Sequence, residues 1–198
     1  MAKRESTFLN MVLTLFLVTL VAAGLLGGVY TLTKEPIRLT ELKRKNEAIQ
    51  KVVPEFDNQP SQEMDQMYMD GDSLYFYTAR NNGNVVGTAV ETFTSQGFSG
   101  EFKLMVGFRP DGTIIDVAVI SHSETPGLGD KMEQDKSDFS GQFEGKDPDT
   151  FELSVRKDGG DVDAITAATI TSRAYCDAVQ RAYDALRQME KIEAEEEQ

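Results

Sequence analysis

The sequence predicts an α+β fold: a mostly antiparallel sheet flanked by helices, preceded by one N-terminal transmembrane helix. Three observations lead there. Strand-like segments follow one another closely and are separated by Asn82-Gly83 and Pro110-Asp111-Gly112 turns. The chain closes on a segment with apolar residues at helical spacing. It opens on a run, Ser6 to Thr33, that contains no charged residue.

That run has its apolar heart from Met11 to Tyr30, and about 20 such residues span a bilayer. Tyr30 suits the interface. The rival reading is a cleaved signal peptide with Val21-Ala22-Ala23-Gly24 at the processing site. Leu25, Leu26 and Val29 carry the apolar stretch past that point, which favours an uncleaved anchor. Lys3 and Arg4 precede the span, while Lys34, Arg38, Lys43, Arg44 and Lys45 follow it. By the positive-inside count alone, the folded part would be cytoplasmic.

From Arg38 to Val53, the residues Leu39, Leu42, Ile49, Val52 and Val53 fall on one side of an amphipathic helix, which Pro54 closes. Asn58 to Asp72 reads as polar, with a turn at Gly71-Asp72. Strands are predicted at Ser73–Thr78, Val85–Phe93, Phe102–Phe108 and Thr113–Ser121, with Phe151–Arg156 as a candidate fifth. Asn82-Gly83 is a strong hairpin signal, because both residues tolerate positive φ. The last helix, from about Arg173, places Tyr175, Ala178, Val179, Ala182, Leu186 and Met189 on one face for docking onto the sheet. The expected division is therefore a tail at 1–8, an anchor at 9–32, an amphipathic linker helix at 33–57, a folded domain at 58–189 and an acidic tail at 190–198.

Composition narrows the function. The net charge of -13 argues against nucleic acid as a partner, since phosphates demand basic patches. Much of that charge sits in Glu190, Glu193, Glu195, Glu196 and Glu197, which read as a solvated helix end. Cys176 is the only cysteine and His122 the only histidine, so an intramolecular disulfide and a zinc site of several histidines are both excluded. Cys176 is expected to be a small buried residue of the last helix.

Two stretches carry candidate chemistry. The first is Asp163-Ala164-Ile165-Thr166-Ala167-Ala168-Thr169-Ile170-Thr171-Ser172, small and hydroxylated, just before the last helix. Small side chains let a bulky group approach the backbone. A hydroxyl at a helix entry lies where unpaired N–H groups and the helix dipole favour an anion, so Thr169 is a candidate to carry or contact a phosphate. The plainer reading is a helix entry capped by Thr171 or Ser172. The second stretch is His122-Ser123-Glu124-Thr125-Pro126-Gly127-Leu128-Gly129, a stiff loop after a strand where backbone can approach a flat ligand. Its plainer reading is a surface turn.

Both stretches resemble signatures of the FMN-binding domain family, whose members include the G subunit of the Rnf electron-transport complex and the C subunit of the sodium-translocating NADH:quinone reductase. Asp163, Thr166, Ala168, Thr169 and Thr171 match the family's flavinylation pattern. The second stretch is similar to its His-x-Glu-Thr-Pro-Gly-Leu-Gly loop, and Gly97-Phe98-Ser99-Gly100 to its glycine-aromatic turn. Ala167 stands where the family has Gly. If that position needs positive φ, Ala is strained there; if Gly only provides room, Ala is tolerable.

The resemblance covers nearly the whole chain, and size and the single anchor are most like the Rnf G subunit. It implies an FMN-binding domain at 58–189 with FMN joined to Thr169 through a phosphoester. Glu124, Thr125, Leu128, Gly129, Thr166, Ala168 and Thr171 would be cofactor-binding residues. Asp163 would be read by a separate magnesium-dependent flavin transferase, or else caps its loop. Arg173 is a candidate to neutralise the phosphate, or else is solvated. No catalytic residue and no bound metal are expected.

The implied protein is a single-pass component of the bacterial inner membrane, with its domain on the outer face, against the charge count. It would move electrons between ferredoxin and NAD within a complex coupled to sodium or proton translocation, as a redox component rather than a complete enzyme. The alternatives are a stand-alone flavinylated carrier for extracytoplasmic reductases and a non-redox anchored binding or assembly module. Retention of Thr169 favours a redox role.

Overall fold

The computed structural model describes residues 7–69 and 71–196; Lys3, Arg4 and Glu197 of the expected tails lie outside them. The chain divides into two compact units, Met1–Lys43 and Arg44–Gln198. Helix α1, Phe8–Val52, has 45 residues and includes Pro36. It is long and apolar enough to cross a membrane. Its Leu13, Phe16, Leu20 and Leu25 are exposed.

The expected linker helix is the C-terminal part of α1 rather than a separate element. Only part of its apolar side is buried. Ala48, Ile49, Val52 and Val53 are covered, while Leu39 and Leu42 are exposed. The helix stops at Val52, two residues before Pro54, whose ring disfavours helical geometry at the residue preceding it.

The sheet is a five-stranded antiparallel meander in the order β1-β2-β3-β4-β5. The strands are β1 Met64–Met69, β2 Asp72–Asn81, β3 Asn84–Thr94, β4 Phe102–Phe108 and β5 Ile114–Ser121. Between β2 and β3, Asn82 and Gly83 have φ of 50° and 81°, the pair of positive values that a tight hairpin with right-handed strand twist requires. The Pro110-Asp111-Gly112 turn forms as expected, with the Gly112 N–H donating to the Arg109 carbonyl at 2.9 Å. Strand β1 departs from the polar coil expected over Asn58 to Asp72. It has no β-branched residue and lies at the sheet edge, so pairing with β2 imposes its extended form. Phe151–Arg156 is not a strand. It contributes a single bridge, Val155 to Val162, and buries Leu153 and Val155.

Both faces of the sheet are covered. Leu104, Val106 and Phe108 of β4 join the core beneath α2, Thr169–Glu196. Met105, on the opposite face, packs with Ala48, Ile49, Val52, Tyr77 and Ala89. Alternate residues of one strand thus enter two cores, which is why β4 reads as a continuous apolar run.

Helix α2 lies close to the sheet because its inner stripe includes Ala174, Ala178, Ala182 and Ala185, all fully buried. Three polar contacts with β3 fix its position along the sheet. The Thr92 hydroxyl donates to the Ala178 carbonyl (3.0 Å), Thr94 to Asp177 (2.9 Å), and Arg181 to the Phe93 carbonyl (2.6 Å). Cys176 is buried among these residues, and burial pushes its thiol up to about 12.

On the other face Glu91 is buried. It accepts from the Tyr77 hydroxyl at 2.9 Å and pairs with Lys45 Nζ at 3.0 Å. Beside this pair, Gly107 of β4 lets the Val52 backbone pass directly over the strand. A Cβ at Gly107 would overlap the Val52 carbonyl. Gly107→Ala should therefore push Val52 off the sheet, costing about 1–3 kcal/mol as overpacked cores do. Urea denaturation of the folded domain measures this as a lower midpoint, and an unchanged midpoint would refute the close approach.

Candidate functional site

The 122–129 loop leaves the end of β5, and the 163–172 segment leads into the first turn of α2. Packing of α2 on the sheet brings them together. Between them lies a cavity of about 300 Å³ lined by Phe98, Glu124, Thr125, Leu128, Gly129, Ala167, Ala168, Thr169, Ile170 and Thr171. Seven of the residues singled out in the sequence belong to this lining: Glu124, Thr125, Leu128, Gly129, Ala168, Thr169 and Thr171. Thr166 is exposed and does not line it. Phe98, Ala167 and Ile170 complete the lining. The sequence signal for Phe98 was its glycine-flanked turn, and for Ile170 its place next to Thr169.

Thr169 is the first residue of α2, so the helix starts four residues before the expected position at Arg173. Thr169 is half-buried. The first backbone bond of the helix entry runs from Ser172 N–H to the Ala168 carbonyl at 3.0 Å. The N–H groups of Thr169, Ile170 and Thr171 thus precede the helical ladder, at the positive end of a 28-residue helix. Thr171 and Ser172 do not cap the helix; they lie within it and are turned inward. The Ser172 hydroxyl accepts from the Ile165 N–H (2.9 Å) and donates to the Ala168 carbonyl (3.0 Å), tying the small-residue segment to the helix it precedes.

Glu124 organises the opposite wall. It is 5 % exposed. Its Oε1 accepts from the Ser99 N–H at 3.2 Å and its Oε2 from the Thr171 hydroxyl at 3.1 Å. Two glycines make room for this carboxyl. A Cβ at Gly97 would come within 2.8 Å of Oε1, and one at Gly129 within 2.5 Å of Oε2. Gly129 is thus required by Glu124 and Thr171 rather than by space inside the cavity.

Behind Glu124 stands His122. Its Nδ1 accepts the Glu124 N–H at 3.0 Å and its Nε2 meets Glu133 Oε1 at 2.5 Å. The acceptor role of Nδ1 places the ring proton on Nε2, facing Glu133. Against desolvation by burial, hydrogen bonds from Lys136 and His122 hold the Glu133 carboxyl below its ordinary value. Among the described residues no group of His, Cys, Asp and Glu is arranged to hold a metal.

Two further residues singled out in the sequence do not line the cavity. Arg173 makes a two-pronged contact with Asp158, Nε to Oδ2 at 2.6 Å and Nη2 to Oδ1 at 2.8 Å, and borders a different cavity beside Leu153 and Cys176. Those hydrogen bonds hold Asp158 below its ordinary value. The Arg173 guanidinium is engaged by Asp158. Asp163 is exposed and pairs with Arg156 at 3.2 Å; its backbone, not its carboxyl, bonds Gln142.

These residues fit a flavin phosphate. The cavity is mostly apolar, and Phe98, Leu128 and Ile170 expose large side chains on its lining. A hydroxyl and three backbone N–H groups stand at one side of it. An aromatic ring could lie on the first group and a phosphate on the second.

Comparison with known proteins agrees. The model of the FMN-binding domain matches residues 97–184, a span that contains every residue lining the cavity. The G subunit of the ion-translocating oxidoreductase complex of Vibrio cholerae is 36% identical over 177 residues, 85% of either chain. The protein of the same name from Shewanella oneidensis is 37% identical over 180 residues, 86% of this chain and 85% of that one. That of Vibrio vulnificus is 35% identical over 176 residues, 84% of this chain and 83% of its own.

Ala167 decides between the two readings of its position. Its φ is 63°, in the left-handed region that an L residue with a Cβ enters at a cost. The family's Gly is the unstrained residue there. Ala167→Gly should stabilise the domain by about 1 kcal/mol, the relief of αL strain less the greater entropy of unfolded Gly. A higher urea midpoint is the expected measurement; a lower one would show that the strain is absent.

Proposed function

The chain belongs to the FMN-binding domain family, and from that premise we propose that it is a membrane-anchored electron-transfer component carrying FMN as a phosphoester on Thr169. The observation that carries this reading is the position of Thr169: a hydroxyl at the first residue of α2, on the wall of a mostly apolar cavity. When bound, FMN supplies the one- and two-electron redox chemistry that no side chain here provides.

The chain's own residues would do the rest. Thr169 gives the attachment oxygen, and the N–H groups of the first turn of α2 meet the phosphoryl charge. Phe98, Leu128 and Ile170 cover the ring and limit water. Glu124, Thr125, Gly129, Ala168 and Thr171 form the fixed wall behind it.

The likeness to G subunits of oxidoreductase complexes supports a place beside the other members of an Rnf-type complex. There it would move electrons between ferredoxin and NAD, coupled to sodium or proton translocation. A separate flavin transferase would load it. The exposed carboxyl of Asp163 is accessible to such an enzyme and is not part of the cavity lining. The domain would stand on the outer face of the cytoplasmic membrane, held by α1.

Loaded by a co-expressed flavin transferase, the protein should gain the mass of one FMN phosphoryl adduct and fluoresce in a denaturing gel. Thr169→Ala should show neither; undiminished fluorescence in that variant would move the attachment elsewhere. A reporter active only in the cytoplasm, fused after Gln198, should stay silent, and strong activity would reverse the proposed orientation.

A further inference from the structure

We infer that the Glu124 carboxyl sets the redox potential of the flavin in the adjoining cavity, acting as a fixed polar group held in place by Ser99 and Thr171. The inference rests on the proposed FMN reading but assigns a new role to one side chain.

The carboxyl cannot turn away. Each oxygen already accepts one hydrogen bond, from the Ser99 N–H and the Thr171 hydroxyl. The backbones of Gly97 and Gly129 close on either side of it. Among the described residues, no Lys, Arg or His forms an ion pair with Glu124. The nearest ionisable base in sequence, His122, accepts the Glu124 N–H and directs its own proton to Glu133, away from the carboxyl. Lys136 is likewise committed to Glu133 and Asp130.

A carboxylate has about four lone-pair sites, and two are used here. The other two belong to a group that lines the cavity. Glu124 itself is buried, so the field of its carboxyl, without a cation beside it, acts on its neighbour at a lower effective dielectric than bulk water gives. Negative charge beside an acceptor of electrons opposes its reduction. The carboxyl should therefore hold the flavin potential down, and the Thr171 hydroxyl should soften that effect by donating into the same oxygen.

Opposite signs in two variants test this. In the full-length FMN-loaded protein, Glu124→Gln should raise the midpoint potential, because the charge is gone while size and one acceptor remain. Thr171→Val should lower it, because the carboxyl loses its donor. Glu124→Asp, which keeps the charge, should stay nearer the wild type than Glu124→Gln. A purely structural role predicts that Glu124→Gln and Thr171→Val shift the potential together or not at all; either result would overturn the inference.

Intact mass separates this test from the parent reading. If the wild-type chain carries no covalent FMN, attachment at Thr169 fails. The same variants are then compared with FMN bound reversibly, where the same pair of signs decides for or against Glu124. If Glu124→Gln does not fold, Thr171→Val and Glu124→Asp still give the decision, since an unchanged potential in Thr171→Val refutes the coupling.

Discussion

The site depends on burial of the inner stripe of α2 against the sheet. Tyr175, Val179, Ala182 and Leu186 leave water there, at about 1.5–3 kcal/mol for each large apolar side chain. The alanines between them set how near the helix axis comes to β3 and β4. Hydrogen bonds from Thr92, Thr94 and Arg181 fix its position along the sheet. Together they determine where Thr169 stands, because it is the end residue of a helix clamped further along. A site residue on a free loop would have no such reference.

The second constraint is polar. Glu124 ties three segments that are distant in sequence: the turn at Gly97–Gly100, the loop after β5 and the first turn of α2. Buried carboxyls are costly unless their hydrogen bonds are made. Glu124 makes two; its bulk leaves no room for a side chain at Gly129, and at Gly97 it shares that role with the Gly100 carbonyl. The motif loop reads as a ligand wall, but part of its residue choice serves this internal joint. Gly129 is such a case: its missing side chain faces a neighbouring carboxyl.

The sheet was largely legible in the sequence. Phe102–Phe108 is a strand over its full expected range, because a run buried on both faces leaves an unbroken apolar signal. Asn82-Gly83 announced its hairpin through chemistry that few other residues tolerate. What the sequence hid was set by tertiary pairing. Strand β1 takes its form from β2. Phe151–Arg156 has strand composition, but among the described residues its only β-bridge is to Val162. The linker helix looked amphipathic to Leu39, yet burial begins only at Ala48. At the site, the residue types at 124–129 and 163–171 indicated where to look. They did not reveal that Arg173 is taken by Asp158, since that pairing depends on a loop with no periodic signal. The left-handed conformation of Ala167 stayed an open alternative, because the family's Gly allows it while Ala itself gives no hint of positive φ.

The meander has a consequence for biogenesis. Its strand order equals chain order, so each strand can pair with its predecessor as soon as both exist, with little loop entropy to overcome. Helix α2 comes after all five strands and, with Ala167 and Ala168 just before it, supplies the wall bearing Thr169. During synthesis the loop wall is therefore made first and waits, with the apolar α2-facing side of the sheet uncovered. In that interval the 163–172 segment is not yet held by the Ser172 and Thr171 contacts, and its hydroxyls are open to any modifying enzyme. Docking of α2 then covers that side of the sheet and sets Thr169, still half-buried, on the cavity wall across from the loop.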